Sequence, residues 1–275
     1  MPELPEAETL VRGLRPLLPG RTVRKTRVHH ADVLRVPPAA FRRGMAGRRI
    51  TAVGRRAKNV VLTLDGGDAF LVVNLGMTGG LVPLGFPDLR PPRPTHPAVA
   101  FTLDGGHGLV FDDTRRFGCV ELLDAATWAG RSARLGPEPL EAGYGWRDLH
   151  AALGRSRSPL RNWLLDQRHI AGVGNIYASE ACFHAGIHPA RPANQVAEEE
   201  ARLLHRGIRH VLRSAIRNGG TTLRDYRDAA GEPGRNRGRL QVYGREGSAC
   251  VRCKAPIQRI VLGNRSAFLC PRCQL

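Results

Sequence analysis

The spacing of apolar residues changes character near residue 130. Before it, Leu10, Val11, Leu14 and Leu18 lie near helical spacing and predict a helix over 3–18. From Arg21 to about Asp124 the apolar residues fall in short, β-branched runs. Residues 60–64 and 69–73 flank Asp65-Gly66-Gly67, and residues 98–103 and 109–111 flank Asp104-Gly105-Gly106. Each pair predicts a hairpin, because Asp-Gly supplies the positive φ that tight turns need. Several short strands in about 100 residues predict a sandwich or barrel. Segment 83–97, with six prolines, predicts an exposed loop.

After residue 130 the spacing becomes helical. Ser158-Pro159 predicts an N-cap followed by proline at the first helical position. Residues 196–217 predict the longest helix. Leu204, Ile208, Val211, Leu212 and Ala215 mark one face, Glu198–Glu200 the first turn, and Gly219-Gly220 the stop. Residues 225–240 are polar and predict a mobile loop, and the last 35 form a compact cysteine-containing unit.

Composition narrows the picture. With 275 residues and 42% apolar content the chain can bury a core, so wholesale disorder is excluded and two domains plus an appendage are expected. The net charge is +18, and two thirds of the excess lies after residue 130. Such a charge calls for a polyanionic partner, most simply nucleic acid. Only Lys25, Lys58 and Lys254 are lysine, the other basic residues being arginine. No run of 18 apolar residues is present, so a membrane span is not expected. The acidic, proline-rich start is unlike a signal peptide, so the six cysteines are expected reduced in a cytosol-like compartment.

Three motifs carry chemistry. Cys250-x2-Cys253 and Cys270-x2-Cys273, 16 residues apart, can place four thiolates around one zinc ion on a β-hairpin; disulfides or buried thiols are the alternatives. Four protein ligands leave no open position, so the ion would be structural. Cys119 and Cys182 fall outside the motif and are expected to be core thiols. Between the knuckles, Asn264-Arg265-Ser266 reads as a turn with an arginine at its tip, able to reach a phosphate or to stand solvated. Gly172-Val173-Gly174-Asn175 opens an apolar helix, either as a phosphate site on outward backbone N–H groups or as an ordinary glycine turn. Finally, removal of Met1 would expose Pro2 as a secondary amine with a pKa of about 8, partly neutral at physiological pH. Attack on a sugar C1′ would give a cationic iminium, an electron sink that promotes β-elimination. Glu3 and Glu6 stand beside it as proton donors or shuttles. The plainer reading is a proline-capped helix with an acidic first turn.

The motifs together resemble one family. Pro2-Glu3-Leu4-Pro5-Glu6, Arg56-Ala57-Lys58, Leu75-Gly76-Met77-Thr78-Gly79, Asp113–Gly118, Gly172–Glu180, Gly219–Leu223, Gln241–Arg245 and the cysteine hairpin stand in the order found in bacterial formamidopyrimidine-DNA glycosylases, within the broader superfamily that includes endonuclease VIII. The resemblance runs end to end. It implies an α+β multi-domain fold: an N-terminal catalytic β-sandwich (2–130), a helix-two-turn-helix DNA-binding domain (131–225), a lesion-capping loop and linker (226–240) and a C-terminal four-cysteine zinc finger (241–275). DNA would cross a cleft between lobes. It implies a bifunctional DNA glycosylase and AP lyase of base excision repair that removes oxidised purines through a Schiff base and β,δ-elimination. It would act as a monomer on damaged double-stranded DNA in the cytoplasm or nucleoid, with one structural zinc.

By that resemblance Pro2 is the nucleophile, Glu3 the general acid and Glu6 a supporting carboxylate. Lys58 would contact phosphate beside the lesion and assist catalysis. Met77, Arg115 and Phe117 would fill the space left by the flipped nucleotide, recovering part of the few kcal/mol that extrusion costs. Asn175 and Arg265 would contact phosphates, and His96 would be a further DNA contact. Three departures bear on lesion choice. Asn74 stands where many relatives carry histidine, and Arg161 where a lysine associated with lesion handling is usual. Segment 229–239 aligns with the capping loop and carries Arg235-Asn236 in place of an aromatic pair, a poorer stacking tip. The rival readings are an endonuclease VIII-like enzyme for oxidised pyrimidines and a non-catalytic zinc-ribbon DNA-binding protein. Leu4, where the endonuclease VIII branch typically has glycine, favours the formamidopyrimidine branch.

Overall fold

The computed structural model describes residues 2–275, which fall into two units. The first comprises the chain through Arg134 together with Ile216–Arg235, and the second comprises Leu135–Ala215 with Asn236–Leu275.

The first unit is built on two four-stranded antiparallel sheets. Their strands are β1 (Val23–Val28), β2 (Ile50–Arg56), β3 (Asn59–Leu64), β4 (Ala69–Asn74), β5 (Gly80–Leu84), β6 (Pro97–Leu103), β7 (Gly108–Asp112) and β8 (Cys119–Asp124). One sheet runs β1-β6-β7-β5 and the other β2-β3-β4-β8. Both expected hairpins form, with Leu64 opposite Ala69 and Thr102 opposite Gly108. Leu62, Leu71, Val99, Phe101, Phe111 and Val120 belong to one core, whose burial supplies most of the stabilisation of the unit. Helix α1 (Leu4–Leu14) adds Leu10, Val11 and Leu14 to it, and α2 (Pro38–Met45) adds Phe41 and Met45. Helix α1 stops earlier than the apolar spacing predicts, since the chain turns at Arg15–Leu18 while Leu18 still reaches the core.

The proline segment differs from expectation at both ends. Pro83 lies inside β5 opposite Leu109, and Pro97 opens β6, so the loop proper is 85–96. The reason is position. Strand β5 ends its sheet, and at an edge the missing N–H breaks no ladder.

The second unit contains α4 (Trp146–Leu153), α5 (Leu160–Leu165), α6 (Asn175–Ala185) and most of α7 (Glu198–Arg217), with α3 (Ala125–Ala133) belonging to the first unit. Helix α5 begins one residue later than expected, with Pro159 rather than Ser158 in the cap position. Helix α6 is buried on nearly every side, from Ile176 through Phe183. Strands β9 (Gln258–Leu262) and β10 (Arg265–Leu269) form the C-terminal hairpin. Its turn is Gly263-Asn264, so Arg265 is the first residue of β10, opposite Leu262, rather than the tip. Phe183, Val242, Ile257 and Phe268 make the small core beneath it. No helix among the described residues is long and apolar enough to cross a membrane.

Candidate active site and nucleic-acid contacts

The Glu6 carboxylate joins the N-terminal segment to a distant turn. Pro2 and Glu3 are buried, and Glu3 caps α1. The Glu3 N–H donates to Glu6 Oε2 at 2.8 Å, while the Thr221 N–H donates to Glu6 Oε1 at 2.7 Å. Tyr226 Oη donates to the Glu6 carbonyl at 3.3 Å, and burial pushes its phenol pKa upward, so it stays a donor. Gly220, at φ +86°, lies against Glu6: an added Cβ would sit 3.2 Å from its Cγ, in a conformation that penalises any side chain. Glu6 thus ties the Pro2-Glu3 peptide to the Gly220-Thr221 turn, more than 200 residues away in sequence. Met1, whose loss the amine chemistry requires, lies outside the described residues.

Lys58 is half-buried in the turn between β2 and β3. Its neighbour Ala57 holds φ +54°, uncommon without glycine, and accepts a bond from Arg55 Nη1 at 2.8 Å. Helix α1 packs on this hairpin. Asn74, on the adjacent strand, donates to Asn59 Oδ1 at 2.9 Å and accepts from the Gly76 N–H at 3.0 Å, so this departure braces the loop after β4.

Met77, Arg115 and Phe117 come together because β4 and β8 are neighbours. The loop leaving β4 and the loop entering β8 therefore lie side by side. Gly76 makes the approach possible, since a Cβ there would lie 2.4 Å from Gly118 N. Asp113, buried and unassigned by sequence reasoning, clamps both loops. It accepts from Thr78 Oγ1 at 2.5 Å, Arg115 N at 3.3 Å and Gly118 N at 2.9 Å. The clamp leaves Phe117 60% exposed and Met77 38% exposed, with the Arg115 guanidinium 4.5 Å from the Phe117 ring centroid. Exposed apolar side chains on a braced loop suit insertion between stacked rings. His96 joins them through Thr114, whose Oγ1 is 3.2 Å from His96 Nδ1.

Asn175 and the C-terminal hairpin meet in the second unit through Arg161. This guanidinium is only 1% exposed. It donates to Asn175 Oδ1, to Ser266 O at 2.9 Å, to Leu262 O at 3.2 Å and to Asn162 Oδ1 at 3.0 Å. Asn175 Nδ2 donates to Ser266 O at 3.1 Å. The Arg265 side chain, exposed beside that knot, has no hydrogen-bond or ion-pair partner among the described residues. Glu180 ties the same hairpin unit to α6, its buried carboxylate accepting from the N–H groups of Gln241, Val242 and Tyr243 at 2.9 Å each. Burial raises its pKa against the pull of those three amides.

The four cysteines of the hairpin converge. Their sulfur atoms all lie within 4.8 Å of one another, with Cys250–Cys273 at 3.9 Å and Cys253–Cys270 at 3.4 Å. A tetrahedral site with Zn–S near 2.3 Å requires S···S of about 3.8 Å. None is disulfide-bonded, and the Arg252 N–H donates to Cys250 Sγ, which favours thiolate. The donor set therefore fits zinc. Gln274 braces it, accepting from Cys270 N at 2.8 Å and donating to Ile187 O. Cys182 is a core thiol, pushed up to about 12 by burial, and burial and Glu121 also raise Cys119.

The charged side chains of the 229–239 segment are exposed, but the segment is anchored at several points. Arg235 donates its N–H to Asn218 O at 2.8 Å, and Asn236 is buried. Ala229 sits in the β-sheet core, and Gly234 packs directly on the Gly220 carbonyl. Polarity alone does not reveal these anchors.

Comparison with known proteins agrees with this arrangement. Residues 1–120 match the formamidopyrimidine-DNA glycosylase N-terminal domain, 135–227 its H2TH domain, and 247–275 a zinc finger found in FPG and IleRS. The formamidopyrimidine-DNA glycosylase of Chloroflexus aurantiacus is 44% identical over all of this chain and 98% of the relative. That of Moorella thermoacetica is 46% identical over 94% of each. The crystal structure of the Thermus thermophilus MutM (Fpg) protein superposes with a TM-score of 0.87 at 42% identity, covering 99% of this chain and 98% of that one. Lactococcus lactis Fpg in complex with abasic-site DNA gives 0.90 at 31% identity and 99% coverage of each.

Proposed function

The chain belongs to the formamidopyrimidine-DNA glycosylase family, and from that premise we propose that it is a bifunctional glycosylase and AP lyase that excises oxidised purines from duplex DNA. The observation that carries this reading is the Glu6 latch, which holds Pro2 and Glu3 in a buried site beside the Thr221 turn.

The Pro2 nitrogen, freed of Met1, attacks C1′ of the damaged nucleotide. The C1′–base bond breaks and the base leaves with a proton. Glu3, as a carboxylic acid, protonates the sugar ring oxygen; the ring opens and an iminium joins Pro2 to C1′. The cation acidifies the C2′ protons. Loss of one expels the 3′ phosphate, and a second elimination expels the 5′ phosphate. Glu6 lies on the same helical turn, where its negative charge favours the developing cation.

Lys58, Asn175 and Arg265 are proposed phosphate contacts, and His96 a further DNA contact. Met77 and Phe117 are proposed to wedge into the stack and Arg115 to hydrogen-bond the orphaned base. Cys250, Cys253, Cys270 and Cys273 would hold one zinc ion, which supplies cross-linking of the hairpin and no reaction step. A molecule of this kind acts alone on damaged DNA in the nucleoid.

Borohydride trapping tests the reading. The mature protein should form a covalent adduct with abasic-site DNA, and Pro2→Gly should lose most trapping and base excision while still binding DNA. Full activity in that variant overturns the assigned nucleophile. A cleavage panel with oxidised purines should exceed one with oxidised pyrimidines, and the reverse result overturns the lesion class.

A further inference from the structure

Arg161 stands where relatives usually carry a lysine associated with lesion handling, yet its side chain is buried and both Nη groups donate to the protein. The acceptors are informative. Leu262 O and Ser266 O come from β9 and β10, on either side of the Gly263-Asn264 turn, and Asn175 Oδ1 comes from the first residue of α6. One side chain therefore fastens the hairpin that carries Arg265 to the helix start that carries Asn175.

The bond to Asn175 has a second effect. A side-chain amide can present either its oxygen or its NH2 group outward. A guanidinium has donors only, so it must face Oδ1. That fixes the amide with Nδ2 turned the other way. One Nδ2 hydrogen goes to Ser266 O, and the other has no partner among the described residues. Asn175 is thereby held as a donor. With the opposite flip its oxygen would repel an anion.

We propose that Arg161 is a positioning residue that makes Asn175 and Arg265 a single pre-set phosphate clamp, rather than a lesion-contacting group. The inference rests on the DNA-binding reading above. A planar fork suits the role, because the four acceptors it meets, Asn162 Oδ1, Leu262 O, Asn175 Oδ1 and Ser266 O, exceed the three donors of an ammonium.

A double-mutant cycle on zinc-loaded, full-length protein tests it, with affinity for an abasic-site duplex measured across salt concentrations. Arg265→Ala should weaken binding about tenfold and flatten the salt slope by about 0.9, one phosphate contact. Arg161→Met should weaken binding at least as much, with a similar loss of slope, and the double variant should be no weaker than Arg161→Met by more than about twofold. Effects that multiply, or a wild-type slope in Arg161→Met, overturn the proposal. Arg161→Lys carries the same cycle if the methionine variant fails to fold, with a smaller but still non-multiplicative loss expected. A DNA-free readout separates this proposal from the functional one. The Asn175 side-chain NH2 resonances should shift and lose exchange protection in Arg161→Met; unchanged resonances overturn the clamp whatever the protein binds.

Discussion

The two units hold their candidate residues by opposite means. In the first, a carboxylate collects backbone N–H groups: Glu6 takes those of Glu3 and Thr221. In the second, a guanidinium collects oxygens: Arg161 takes those of Asn175, Leu262 and Ser266. Each hub also carries the charge that suits the proposed chemistry nearby. A buried anion lies where an iminium would form, and a buried cation lies where phosphate would bind. Burying either charge is costly unless it is fully hydrogen-bonded, so both arrangements give up stability in exchange for a fixed geometry.

Loss of the first hub should have the largest effect. Glu6→Ala leaves two buried N–H groups without acceptors at about 1–3 kcal/mol each. Denaturation should therefore report a loss of about 2–6 kcal/mol, and trapping on abasic DNA should slow by about a hundredfold. A variant with normal stability and trapping would break the comparison at that end. Next in size is the metal site. Chelation or Cys270→Ser should unfold the C-terminal hairpin, release zinc detectable with a chromophoric chelator, and weaken DNA binding more than tenfold. Circular dichroism should show the β-rich unit retained.

A smaller effect sharpens the same contrast. Asp113 is a second anionic hub in the first unit, and Asp113→Asn replaces one acceptor oxygen by a donor facing the Gly118 N–H or Thr78 hydroxyl. A loss of about 1–3 kcal/mol is expected, with the fluorescence change of a base analogue opposite the lesion reduced several-fold. Smallest is Phe117→Ala. The ring is mostly exposed, so stability should stay within about 0.5 kcal/mol while the same fluorescence change falls. A large stability loss would mean that the ring packs in the core instead.

Local chemistry in the sequence was a good guide to local structure. The Asp-Gly hairpins, the α7 helix and the four-cysteine cluster follow from turn residues, periodicity and spacing, and all are present. Pairings between distant residues left no such trace. Glu6 meets Thr221 across 215 positions, and Arg161 meets Ser266 across 105. In a chain so rich in arginine, nothing local marks one of them as buried. Asp113 stood inside a recognised motif, but its clamp depends on β4 and β8 being neighbours, which only the sheet order reveals. The burial of Asn236 leaves no local trace for a related reason, since it depends on tertiary contacts inside a polar stretch.

Pro83 carries a consequence for behaviour at high concentration. Strand β5 closes one side of its sheet, and an unprotected rim of N–H and C=O groups invites a strand from another molecule to zip alongside. The pyrrolidine ring interrupts that rim with no hydrogen to donate, while its carbons stay packed inward. Replacing it with valine should leave the monomer's chemistry intact yet promote intermolecular sheet growth, visible as light scattering that rises with protein concentration.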